Sequence, residues 1–196
     1  AFATDGSVWA LTRTTRQVPH AGATVPVTDD QLVRISPDGE VQRTISLFAL
    51  IGDRVAADRL GRIAEAMGRE DFRPGMHVTD LLHTNSIEVV DWEGAPPGQA
   101  ALLSVRNLDL LVVVRLDEPR VLWSFGPGVL ERQHHATLQP DGSILLFDNG
   151  VRRKRSRILR VDPASGRHET LYEAPDFFSR LRGAVEPVPG GGLLIT

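Results

Sequence analysis

The chain has 196 residues, 41% hydrophobic and 24% charged, with 18 Gly, 13 Pro and no Cys, a globular composition that excludes a disordered or collagen-like chain. Twenty-two Lys and Arg stand against 25 Asp and Glu, a formal charge of -3, so no overall positive field recruits nucleic acid or an anionic membrane, and neither is expected as a partner. The missing cysteine rules out disulfides, a thiolate nucleophile and a zinc–thiolate centre, and the longest apolar runs, at residues 47–51 and 110–114, fall far short of the roughly 18 residues of a membrane-spanning helix.

In chain order, short apolar runs alternate with turn signals. Residues 4–11 read as a hairpin turning at Asp5-Gly6, and residues 32–41 as one turning at Pro37-Asp38-Gly39. Residues 46–73 break this pattern: Val55, Ala56, Leu60, Ile63, Ala64 and Met67 recur at helical spacing. An inserted helix near 55–68, ending at Gly68, is expected to lay that stripe on a sheet, a lid or partner-binding helix being the alternative. A strand follows His83-Thr84-Asn85, Trp92 precedes the turn at residues 94–98, and the returning strand ends at Ser104-Val105-Arg106-Asn107.

Residues 113–123 form the next hairpin, and a new strand begins after Gln133-His134-His135. That strand turns at Pro140-Asp141-Gly142, and its partner ends at Asp148-Asn149-Gly150, where Asn-Gly favours a tight turn. Residues 152–157 hold five basic side chains in six positions, a solvated loop or, on an active rim, a device to steer anionic substrates. Hairpins at residues 158–167 and 188–195 follow.

Two hairpin types thus alternate, and their markers recur at one spacing: Pro140 and Pro189 are 49 residues apart, His83 and His134 are 51. Two hairpins per repeat make a four-stranded antiparallel blade, so the expected fold is an all-β propeller, with a β-sandwich as runner-up. At roughly 50 residues per repeat the chain covers about four blades. Both ends fall inside apparent hairpins, so residues 1–196 are expected to be a single propeller domain that is a fragment of a longer protein.

In such blades the start of the first strand and the end of the second share one rim. Aligning the repeats therefore sends His83, His134, Arg106 and Asp148 to one channel mouth, with Arg106 and Asp148 in equivalent places. Imidazoles that attack or shuttle protons, beside a guanidinium that grips two oxygens of a tetrahedral anion, suit sulfuryl or phosphoryl transfer. A metal held by His83 and His134 is the rival, disfavoured because Arg106 would repel a cation. For His134 the plain alternative is a bond to a loop carbonyl, and for Arg106 a salt bridge to Asp109 or Asp148. His135 is expected to face away and be structural, and Trp9 and Trp123 to fill the spaces between blades.

Four stretches carry a resemblance: His83-Thr84-Asn85, Ser104-Val105-Arg106, residues 123–128 leading to Gln133-His134, and residues 140–150. Over about residues 80–165 the sequence resembles the bacterial aryl-sulfate sulfotransferase family. The resemblance implies a six-bladed propeller with its active site in the central channel, phenolic sulfate and phenol as small-molecule partners, and neither a metal nor a nucleotide cofactor. It places the nucleophile that becomes transiently sulfated on His134, proton transfer on an imidazole such as His83, the sulfuryl-binding guanidinium on Arg106, and a further hydrogen bond on Asn85. It also implies export from the cytoplasm. The family carries one more active-site histidine on an earlier blade, and His20, the sole histidine before His77, does not precede a blade's first strand. A non-catalytic propeller that binds a ligand or protein is the alternative function, since one fold hosts many activities.

Overall fold

The structure, a computed structural model, describes residues 1–3 and 5–196; Thr4, the first residue of the hairpin expected at 4–11, lies outside them. The described residues divide into two units, Ala1–His83 and Thr84–Thr196.

The first unit is a three-stranded antiparallel sheet of β1 (Val8–His20), β2 (Ala23–Ile35) and β3 (Val41–Ser46) in that order. His20 pairs with Ala23, and the two residues between them, Ala21 and Gly22, have φ of 49° and 79°. That is the two-residue turn whose twist matches its strands. The expected hairpin at 32–41 is the β2–β3 turn, and that at 4–11 survives as a bridge from Phe2 to Val8. Asp29 is buried in β2 because it has donors: Ser46 Oγ at 2.6 Å and Phe48 N at 3.0 Å. Ser46 in turn accepts from Ala49 N and caps a short helix α1 (Leu47–Ile51), a feature absent from the sequence reading because five residues carry no periodicity. The inserted helix is α2 (Ala57–Met67), ending at Gly68 as expected. Its buried stripe is narrow: Ile63 is inaccessible, whereas Met67 is 43% exposed.

In the second unit, β4 (Thr84–Val90), β5 (Ala100–Val105), β6 (Leu110–Arg115) and β7 (Arg120–Phe125) form one antiparallel meander. The strands β8 (His134–Leu138), β9 (Ile144–Asp148), β10 (Arg157–Val161) and β11 (His168–Glu173) form a second, and β12 (Val185–Val188) pairs with β13 (Gly192–Ile195). These are the repeated four-stranded units read from the sequence. β4 and β8 start at Thr84 and His134, inside the motifs rather than after them, and each carries a bulge near its start.

Alternation along β9 and β10 explains why residues 144–147 of β9 and Ile158 and Leu159 of β10 are apolar on both faces. Ile144, Leu146, Leu159 and Val161 turn one way and join Leu102, Leu111 and Val113 of the first meander. Leu145, Phe147 and Ile158 turn the other way and meet Val185, Leu193 and Ile195. A sheet covered on both faces needs apolar residues at every position of its inner strands. Trp123 packs at the edge of the shared core, 5.6 Å from Trp92 and 6.1 Å from Phe125 between ring centres, and its Nε1 donates to the Pro163 carbonyl at 3.0 Å.

The hairpin turns are held by short polar side chains. Asp141 accepts Ser143 N and Oγ, Asp162 accepts Ala164 N and Ser165 Oγ, and Asp117 accepts both arms of the Arg115 fork at 2.7 Å. Hydrogen bonds from Ser143 and Ser165 lower the pKa of Asp141 and Asp162, and those from Arg115 hold Asp117 at about 2. Burial pushes Glu88 the other way. No helix among the described residues is long and apolar enough to cross a membrane.

Two outcomes test this packing. Leu146→Ala, which empties a fully buried position between the meanders, is expected to cost about 2–5 kcal/mol in urea unfolding; a loss below about 1 kcal/mol would contradict the shared core. A carboxylate whose folded pKa is depressed adds stability above the ordinary carboxylate range and loses it as pH falls through the folded value. Asp117, Asp141 and Asp162 act in that sense and Glu88 against it, so the melting temperature should fall between about pH 5 and pH 2. A melting temperature that rises over that range would mean that Glu88 dominates.

Candidate active site

The chain passes from the first meander to the second through residues 130–134, and groups from both sheets hold it there. Gln133 is fully buried: its Nε2 donates to Ser104 Oγ at 3.1 Å and to the Leu110 carbonyl at 3.0 Å. Its own carbonyl accepts Asn85 Nδ2 at 2.8 Å and Ser104 Oγ at 3.2 Å. Arg132, at φ 61°, donates its N–H to Asp109 Oδ1 at 2.7 Å, and its guanidinium meets Asn107 Oδ1, which also accepts Arg106 Nη1 at 3.0 Å.

From the second meander, Asp148 Oδ1 accepts Glu131 N at 2.7 Å, and the Glu131 carbonyl accepts Gly150 N at 3.0 Å. The Glu131 carboxylate takes the N–H groups of Arg152 and Arg153 at 2.7 and 3.1 Å. Burial opposes its ionisation, yet these N–H groups and the two guanidiniums hold its pKa below the ordinary value.

His134, half-buried at the head of β8, is held at Nδ1. Its Nδ1 lies 2.7 Å from Asn149 Oδ1 and 3.1 Å from the Arg132 carbonyl. Asn149 is fully buried at the end of β9, and its Nδ2 donates to the carbonyls of Ser179 at 2.9 Å and Arg182 at 2.8 Å. Gly150 follows at φ 61°, and a Cβ there would lie 1.7 Å from the Arg155 carbonyl oxygen, so the expected Asn-Gly turn needs glycine.

Register places Arg106 and Asp148 equivalently, as expected, since Thr84 pairs with Val105 and His134 with Phe147. Their side chains diverge. Arg106 is half-buried in the single helical turn Arg106–Leu108. Asp148 does not face a channel mouth: it is fully buried, and its Oδ2 accepts Arg153 Nη2 and Arg157 Nε at 2.9 Å each. A carboxylate out of water requires such compensation. Asp109 Oδ2 also takes Arg152 Nη1 at 3.0 Å.

Residues 152–155 are exposed, as expected of a solvated run, and the run is ion-paired as well. Arg152 and Arg153 reach Glu131, Arg153 and Arg157 reach Asp148, and Arg155 lies 3.9 Å from Glu173. Arg152 and Arg153 thereby clamp the connection ahead of His134.

Asn85, in β4, spends one of its two N–H groups on the Gln133 carbonyl, which ties the two motifs together. His83 closes the first unit, at φ 52°, with Nδ1 2.5 Å from Asp80 Oδ2. Burial opposes ionisation of Asp80, but the hydrogen bond and charge of His83, with Arg13 and His77, lower its pKa. His135 is structural, as expected: its Nδ1 is 3.3 Å from Val185 N and 3.1 Å from the Val185 carbonyl, joining β8 to β12. Sequence reasoning missed Asn149, because Asn-Gly is already explained as a turn, and left Gln133 without a role although it stands beside His134 in the motif.

No curated protein matches the chain. Among solved structures it is similar to a chain of a nidogen/laminin complex, at 14% identity and TM-score 0.46, over 93% of this chain and 49% of that one. It is also similar to a protein of unknown function from Bacteroides caccae, at 14% identity and TM-score 0.42, over 88% of this chain and 48% of that one. The chain thus spans about half the length of these structures. The arylsulfotransferase (ASST) family model matches residues 1–196, which extends the resemblance at residues 80–165 to the whole length. The chain belongs to the arylsulfotransferase family.

Proposed function

We propose that the chain carries the sulfuryl-transfer centre of an arylsulfotransferase, with His134 as nucleophile. The supporting observation is the pair of oxygens at Nδ1: both are acceptors, so in the neutral ring the proton sits on Nδ1 and the lone pair on Nε2. A basic Nε2 is what attack on sulfur needs.

In the first step Nε2 attacks the sulfur of an aryl sulfate. The N–S bond forms as the bond from sulfur to the aryl oxygen breaks, and the departing phenolate takes a proton from His83. In the second step an acceptor phenol attacks the same sulfur, the N–S electron pair returns to Nε2, and the phenolic proton passes back to His83. Charge and protons balance over the cycle, and neither a metal nor a nucleotide enters it. Arg106 grips the sulfuryl oxygens through both steps, and the second N–H of Asn85 donates to one of them. Asp80, on His83 Nδ1, offsets the charge that this imidazole carries as the acid.

The same reading takes residues 1–196 as one propeller domain whose sheets are successive blades. The two-faced burial of β9 and β10 supports it, because an interior blade is covered on both sides.

The full-length protein, given a chromogenic phenyl sulfate with and without a second phenol, is expected to release phenolate faster with the acceptor. His134→Ala should lower that release by about 10³-fold or more, as loss of a covalent nucleophile does. Release that survives the substitution would move the nucleophile elsewhere, and no release by folded protein over a broad donor panel would favour a binding domain. Arg106→Ala is expected to lower kcat by about 10²–10³, the scale of one lost donor to a developing anion, with partial recovery in Arg106→Lys. A kcat within twofold of wild type would remove Arg106 from the sulfuryl site.

A further inference from the structure

We infer that Asn149 is a positioning residue that sets the tautomer of His134, and that the loop at residues 179–182 sets Asn149. The inference deepens the reading of His134 as nucleophile and rests on it for its catalytic meaning, though not for its geometry.

An amide side chain can face either way, and only its partners decide which end is oxygen. Here they do. Two backbone carbonyls, from Ser179 and Arg182, lie at 2.9 and 2.8 Å from one end of the Asn149 amide. Carbonyls only accept, so that end is the NH₂ group and uses both of its hydrogens. The other end is therefore oxygen, and it meets His134 Nδ1 at 2.7 Å. Oxygen there requires a proton on Nδ1.

The loop is itself held to the end of β9. Ser156 is fully buried, and its Oγ donates to the Asn149 carbonyl at 2.9 Å while accepting Ser179 N at 2.9 Å. Ser179 Oγ donates to the Arg182 carbonyl at 2.5 Å, which closes the loop on itself. Gly183 lies against the Phe147 ring, where a Cβ would be 2.4 Å from a ring carbon. Loop carbonyls, amide and imidazole thus form one chain of bonds in which each orientation is fixed by the one before. Partners of this kind, which fix the tautomer and aim of a reacting imidazole, are worth about 10–100-fold in activity when lost.

The test is an NMR measurement on the full chain with labelled histidine, His134 being assigned by the signals lost in His134→Ala. Long-range proton–nitrogen correlations distinguish the two neutral tautomers. In wild type His134 is expected to be wholly the Nδ1–H form, and in Asn149→Ala a mixture with Nε2–H, with kcat for aryl sulfate lowered about 10–100-fold and KM nearly unchanged. An Nε2–H ring in wild type overturns the inference, as does an unchanged Nδ1–H ring in Asn149→Ala, which would mean that the Arg132 carbonyl suffices. Should Asn149→Ala fail to fold, Asn149→Ser withdraws from His134 while keeping a hydroxyl for the loop carbonyls, and the same two outcomes decide. The tautomer is read without turnover, so an inactive protein with an Nδ1–H ring sinks the nucleophile reading alone.

Discussion

The polypeptide between the two meanders has to leave one apolar sheet and enter another without abandoning its own polar groups, and this constraint organises the second unit. Residues 130–134 run beside the shared core, where an unpaired backbone group costs about 1–3 kcal/mol. The solution is reciprocal. Ser104, Leu110 and Asp109 supply partners from the first meander, and Asp148, Gly150 and the N–H groups of Arg152 and Arg153 supply them from the second. Asp148 could not be buried there alone; Arg153 and Arg157 make it possible. The basic run, the buried aspartate and the orientation of His134 are therefore parts of one arrangement.

Rigidity follows from the same bonds. A nucleophile has to be held within a fraction of an ångström of its line of attack, and His134, proposed for that role, stands between Gln133, bonded through both its side chain and its carbonyl, and a bulge that contains His135, tied across sheets to Val185. Strand ends position side chains better than free loops do. The bulge re-aims the ring without lengthening the strand, a use of extra residues common beside functional sites.

Much of this was legible in the sequence, for identifiable reasons. Asp141-Gly142 and the apolar runs around it give the β8–β9 hairpin from local preference alone, and the repeat spacing gives the four-stranded units. Helical spacing at residues 55–67 gives α2. The rim positions of Arg106 and Asp148 also follow from pairing register. Where their side chains go does not, because that depends on Arg153 and Arg157, which reach Asp148 only after the connection folds back. The exposure of Arg152 and its neighbours was legible, but their pairing was not, because a charge run shows no sign of the carboxylates brought to it from residues 109 and 131. Asn149 was hidden for a different reason: its place before Gly150 already accounted for it, and its second role needs carbonyls 30 and 33 residues away.

The choice of an amide rather than a carboxylate at His134 Nδ1 has chemical consequences. A carboxylate would attract the imidazolium and draw His134 toward the protonated state, in which Nε2 has no lone pair to offer. An amide oxygen accepts the Nδ1 proton by its dipole alone, which selects the tautomer without that charge preference. In the proposed cycle the ring gains positive charge when Nε2 bonds to sulfur, and the same dipole offsets part of it. His83, the proposed proton donor, has instead the carboxylate of Asp80 on its Nδ1. In the proposed function two histidines, one on an amide and one on an aspartate, take opposite tasks set by their neighbours.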